Sequence, residues 1–111
     1  MAHINFVELP ARNLKEAKAF YESVFGWSLT EFGPDYACTM TGDVELGGQG
    51  DTTEAPAAPL PVVCVENLEA AQKAVIQAGG TLSKAPFSFP GGRRFHFRDP
   101  NGMEMAIMQA D

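Results

Sequence analysis

NLKEAKAFYESVFG, residues 13–26, returns in outline as NLEAAQKAVIQAGG at residues 67–80. Each copy opens on an Asn, whose side-chain carbonyl can accept a hydrogen bond from an otherwise orphaned amide of a first helical turn. In the first copy Glu16 follows three residues later, the spacing of a capping box. The apolar positions Leu14, Ala17, Phe20, Tyr21, Val24 and Phe25 in the first copy, and Leu68, Ala71, Ala74, Val75 and Ala78 in the second, recur near a period of 3.6 and predict one buried stripe per helix. Gly26 and Gly79-Gly80 supply the stops. Asn13 to Asn67, Leu14 to Leu68, Ala17 to Ala71 and Gly26 to Gly80 all differ by 54 positions, about half the chain, so the helix belongs to a duplicated unit.

Working outward, a short strand precedes each helix, at Ile4–Leu9 and Leu60–Val65, and strand-like runs follow it. After the first helix these are Trp27–Phe32, Tyr36–Met40 and Val44–Gly48. After the second they are Thr81–Lys84, Arg94–Arg98 and Met103–Gln109. Turn residues separate them at Gly33-Pro34, Gly42-Asp43, Pro90-Gly91-Gly92 and Asp99-Pro100-Asn101-Gly102. Both halves read βαβββ, an α+β class. GDTTEAPAAP (50–59) reads as an exposed connector, so the chain divides into module one (1–50), a linker (51–59) and module two (60–111) of a single domain.

Bulk composition narrows the function. A chain of 111 residues with 45% hydrophobic and 20% charged residues supports one folded core. Eight Lys plus Arg against fourteen Asp plus Glu give a net charge of −6, which opposes the phosphate contacts that nucleic-acid binding requires. No window reaches the roughly 18 apolar residues of a membrane span, and the N-terminus lacks the basic and apolar regions of a secretory signal. Cys38 and Cys64 lie in apolar runs and read as buried thiols rather than a disulfide, consistent with a cytoplasmic protein. GGQG and PGGR lack the strand–glycine–helix context of a phosphate loop, and there is no G-x-S-x-G elbow.

Three stretches, NLKEAKAFYESVFGW, VVCVENLEAAQKAVIQAGG and FRDPNG, resemble in order and spacing the vicinal-oxygen-chelate superfamily of glyoxalase I, bleomycin-resistance proteins, fosfomycin-resistance thiol transferases and extradiol dioxygenases. The run from PLPVVCVENL to GGRRFHFRDPNG is most similar to its small glyoxalase-like members. The resemblance implies two βαβββ modules forming an open, U-shaped barrel around a ligand cavity, and a homodimer. In metal-dependent relatives, His, Gln or Glu from the first and last strands of each module hold a divalent ion, whose donors must be oxygen or nitrogen at about 2 Å.

Carried over by spacing, those positions fall at Phe6, eight residues before Leu14; at Leu60, eight before Leu68; at Ala106, seven after Asp99; and near Gly47 or Gly48. None offers a donor side chain, so no cofactor is expected, and a divalent metal at shifted ligands is the alternative. In the fosfomycin-resistance relatives, polar side chains three and five residues before the equivalent Asp face the cavity, which maps to His96 and Arg94. Phe95 and Phe97 should then pack on the helices with Met105 and Ile107, provided the hairpin between the arms is bulged, because a two-residue turn would exchange the faces. Glu8 shares parity with Phe6 and needs a cationic partner such as Arg94 or Arg98 if buried. His3 has the opposite parity and reads as a surface histidine. Glu45 and Glu104 adjoin turns and read as exposed.

The resulting expectation is a small, partly apolar ligand held by Phe6, Glu8, Met40, Leu60, Arg94, His96 and Ala106, with Val62, Cys64 and Met108 extending the apolar wall. Drug sequestration is one version. A superfamily isomerase or lyase with His96 and Glu8 as its acid–base pair is the enzymatic alternative. An interaction module with a vestigial cavity is a third.

Overall fold

A computed structural model describes residues 2–48 and 58–111; the expected linker therefore lies, apart from its last two residues, outside the described residues. The chain forms two compact units, one from Phe6 to Pro59 and the other from Leu60 to Asp111 together with the N-terminal end of the first strand, through Asn5.

In module one the elements are β1 (His3–Ala11), α1 (Leu14–Phe25), β2 (Leu29–Glu31), β3 (Tyr36–Thr39) and β4 (Val44–Gly48). In module two they are β5 (Leu60–Cys64), α2 (Leu68–Gln77), β6 (Thr81–Phe89), β7 (Gly92–Arg98) and β8 (Glu104–Ala110). The strand order is β2-β3-β4-β1 in the first and β5-β8-β7-β6 in the second. In both, the first and last strands pair in parallel, β1 with β4 and β5 with β8, while the remaining pairs are antiparallel. This is the α+β, twice-βαβββ fold that the 54-residue offset predicts.

The Asn side chains do what the repeat requires of them. Asn13 Oδ1 accepts from the Glu16 amide and Asn67 Oδ1 from the Ala70 amide, each at 3.0 Å, with the Asn backbone extended. The two C-termini differ. α1 ends at Gly26 in the left-handed region (φ 71°), whereas α2 ends at Ala78 and the left-handed residue is Gly79 (φ 97°), not the Gly80 that the offset aligns with Gly26.

Each helix covers one face of its module's sheet. Ala11, Leu14, Leu29, Ala37 and Leu46 form the module-one core, with Leu9, Ala17, Tyr21 and Trp27 against it. Leu68, Phe95 and Ile107 form the module-two core, flanked by Val63, Ala71, Val75 and Phe97. The expected six-residue stripe of α1 is only partly covered: Leu14 is buried, but Phe20, Val24 and Phe25 are more than half exposed. The outer part of the stripe instead forms an aromatic array, with Tyr21 and Phe25 contacting Trp27 at ring-centre separations of 5.7 and 4.9 Å.

Candidate functional site

The face of the module-two sheet turned away from α2 is set by the β7–β8 hairpin. Arg98 pairs with Glu104, which leaves a five-residue loop from Asp99 to Met103. Asp99 organises it: its carboxylate accepts from the Asn101 and Met103 amides at 2.8 and 3.0 Å, and Gly102 takes φ 89°. An odd loop keeps 94, 96 and 98 on the same side as 104, 106 and 108. His96 therefore faces Ala106, Arg94 faces Met108, and Phe95 faces Ile107 on the other side. The odd set meets α2 throughout. Arg93 donates to Glu69 at 2.7 Å, Phe95 and Ile107 pack on Leu68, and Gln109 Oε1 accepts from the Leu68 amide at 2.8 Å.

On the even face, Ala106 is fully buried and pairs on its other side with Val62, also fully buried; Leu60, two residues earlier on β5, is buried as well. His96 is buried, and its Nδ1 lies 3.7 Å from Glu104 Oε2, an ion-pair distance when the imidazole is protonated. Ser83 donates to that same oxygen at 2.7 Å. Glu104 is thus half-buried and engaged rather than simply exposed, because its diagonal position on β8 aims it back toward His96.

β6 contributes residues that the sequence reading stopped short of, since the expected strand ended at Lys84 whereas the observed one reaches Phe89. Two register shifts, between Leu82 and Lys84 and between Lys84 and Phe87, place Lys84 opposite His96 and Phe87 opposite Arg94. Three residues apart, these two side chains would sit on opposite faces of a regular strand. The bulge brings both to the face of His96 and Arg94, and Phe89 follows two residues on. The Arg94 guanidinium lies 5.4 Å from the Phe87 ring centre and 5.3 Å from that of Phe89; Lys84 Nζ lies 5.1 Å from Phe87, and the Phe87 and His96 rings are 5.8 Å apart.

In module one, Phe6 and Glu8 lie on the side of β1 away from the Leu9 and Ala11 positions that pack on α1. Glu8 pairs with Glu45 across β1 and β4, and a Cβ on Gly47 would come within 3.3 Å of Glu8 Oε1, so the glycine makes room for that carboxylate. Glu45 is half-buried rather than exposed and accepts a short hydrogen bond from the Tyr36 hydroxyl. Met40 stands one residue past β3, largely exposed, in a shallow groove with Trp27, Ser28 and Asp43. His3 is exposed, as its parity implied.

Burial, then the carboxylate of Glu45, pushes the Tyr36 phenol well above its ordinary range. A raised acid is held neutral, so its contribution to stability is complete below the ordinary tyrosine pKa near about 10 and is lost as pH rises beyond it. Melting temperatures followed from pH about 8 to about 11 should fall more steeply for the native chain than for Tyr36→Phe. Equal slopes would remove Tyr36 as the cause.

The positions that the family resemblance implies for a divalent ion, Phe6, Leu60, Ala106 and Gly47 or Gly48, have no donor atom in their side chains. Among the described residues no three of His, Cys, Asp and Glu are grouped as metal ligands. The side chains at those positions offer such an ion no oxygen or nitrogen donor.

Two βαβββ modules, each with a helix on one face of its sheet and polar groups on the other, define the class of domain. The chain belongs to the Glyoxalase/Bleomycin resistance protein/Dioxygenase superfamily, whose family model matches residues 3–107. No curated protein matches it by sequence. Among solved structures it is similar to a hypothetical protein from Bacillus halodurans C-125 (TM-score 0.79, 11% identity, covering 99% of this chain and 95% of that one). It is also similar to methylmalonyl-CoA epimerase from Mycobacterium tuberculosis (0.73, 14%, 97% and 87%). A third is the Mn(II)-bound glyoxalase from Novosphingobium aromaticivorans (0.71, 18%, 98% of this chain but 40% of that one). At these identities the likeness concerns the fold.

Proposed function

We propose that this chain is a metal-independent small-molecule-binding member of its superfamily, with the ligand on the even face of module two against Arg94 and the partly exposed rings of Phe87 and Phe89. The observation that carries the reading is the Arg94 guanidinium set over the Phe87 and Phe89 rings, beside a buried histidine. Such a surface combines an orienting charge with apolar area, the mixture on which small-ligand sites are built. Phe6 and Glu8 are the module-one candidates for ligand contact. A homodimer and a cytoplasmic location belong to the same proposal. Among the described residues no helix is long and apolar enough to cross a membrane, and both cysteines are free thiols. Sedimentation and localisation of a tagged chain check those two points.

The test is a thermal-shift panel of metabolites and antibiotics, run with chelator and with added divalent ions. We expect a ligand that raises the melting temperature equally with and without chelator, and whose affinity falls at least about tenfold, or 1.4 kcal/mol, in Arg94→Met. Stoichiometric metal in the purified protein, or binding abolished by chelator, would overturn the metal-independent reading.

A second reading has one observation in its favour. Ser83, Glu104 and His96 form a chain in which a carboxylate addresses the imidazole Nδ1. A protonated imidazole would ion-pair with that carboxylate, which makes His96 the candidate proton carrier of an acid–base reaction. In this enzymatic alternative, an isomerase or lyase, Glu104 takes the partner role that Glu8 held in the sequence reading. Turnover lost in a folded His96→Ala variant is its requirement.

A further inference from the structure

Met40 is the most exposed large apolar side chain among the described residues, at 73%. It lines a groove of about 360 Å³ together with Trp27 and Val44, and among the described residues Asp43 is the one charged group in the lining. A volume of this size is enough for a small ligand. Thr39 and Val44, also in the lining, share the side of the module-one sheet on which Ala37 and Leu46 meet α1. The groove therefore belongs wholly to module one and lies behind the face that carries Phe6 and Glu8.

Its walls are braced. Thr39 is buried, and its hydroxyl accepts from the amides of Asp43 and Val44, both at 3.2 Å. Gly42, at φ 86°, lets its own amide reach the Thr39 carbonyl at 3.2 Å. Met40 and Asp43 thus stand on a turn that its own hydrogen bonds hold, while Tyr21 and Phe25 support the Trp27 indole. The Asp43 carboxylate accepts from the Thr41 hydroxyl at 2.5 Å and has no ion-pair partner among the described residues.

A carboxylate beside an indole and a thioether, with no basic group in the lining, suits a cation with apolar substituents. A bare ammonium brings three donors to satisfy. The hydroxyls of Thr39 and Thr41 are already committed to the turn and to Asp43, so they leave such a group short of acceptors. Alkyl groups on the nitrogen remove that demand and give Trp27 and Met40 something apolar to cover. The net charge of −6 adds a long-range attraction in the same sense.

We infer that this groove is a second ligand site, separate from the one proposed on module two, and that it takes an alkylated organic ammonium ion, its charge beside Asp43 and its alkyl groups on Trp27 and Met40.

Trp27 is the sole tryptophan of the chain, so its emission reports on this groove. Choline and 3,3-dimethyl-1-butanol, in which carbon replaces the charged nitrogen, share a shape and differ in charge. Titrated into the whole chain, choline should change the Trp27 emission saturably, bind about tenfold more tightly than the alcohol, and weaken as salt is added. Asp43→Asn, which keeps an acceptor for Thr41, should weaken choline by about tenfold, whereas Glu66→Gln, at an exposed position of module two, should leave it unchanged. Met40→Lys, at a position exposed enough to leave folding intact, should weaken choline about as much through repulsion. Equal binding of the two probes, native choline affinity in either variant, or no saturable change with choline would overturn the assignment. None of these results bears on the module-two ligand, which is tested through Arg94→Met.

Discussion

Phe95→Ala should lower folding stability by about 3–5 kcal/mol, the usual range for removing a buried aromatic ring. Among the described residues Phe95 is the largest fully buried side chain, and it joins Leu68 of α2 to Ile107 of β8. Its loss removes apolar burial and leaves a space that three surrounding elements cannot close together, because β7 is held on both sides by ladder hydrogen bonds. For a domain whose total stability is about 5–15 kcal/mol, that is a large fraction. Urea denaturation with an unchanged slope and a shifted midpoint is the expected record. A loss below about 1 kcal/mol would mean that module two does not depend on this core.

The second large effect concerns Ala106. Ala106→Glu would introduce a carboxylate at a fully buried position between Val62 and His96. Overpacking and an ionised group in a dry site act in the same direction, and we expect a loss of about 3 kcal/mol or more near neutral pH. Burial raises a carboxyl pKa, so the folded-state value would exceed the unfolded one. By linkage the deficit shrinks as pH falls toward the unfolded carboxyl range and grows as pH rises through the folded value. Denaturation midpoints at pH about 4.5 and about 7.5 test this, and a deficit independent of pH would assign the damage to volume alone.

Much of the fold was legible in the sequence because duplication makes a local signal checkable. One Asn before an apolar helix is weak evidence, whereas Asn13 and Asn67 with matching helices fixed two N-termini to the residue. The facing of β7 was legible on one condition, a bulged hairpin, and the five-residue loop organised by Asp99 has the same effect on which residues share a face. The extent of β6 was not legible. Pro86 reads as a strand breaker, but it falls between the paired positions Lys84 and Phe87, where its missing N–H breaks no ladder bond. Phe87 and Phe89 were lost with it. Glu104 and Glu45 were misjudged because proximity to a turn says nothing about diagonal neighbours; Tyr36 and Ser83 come from other strands. The α1 stripe was over-read, since periodicity states which residues share a side and not how far the sheet beneath extends.

The Asp99–Met103 loop makes the even and odd residues of β8 a matter of counting. Point changes there alter how well the bend is held. Removing or adding a single residue would shift the following strand by one step, turning Ile107 outward from α2 and Ala106 toward it. Evolution could therefore rewrite the letters of this segment far more freely than its length.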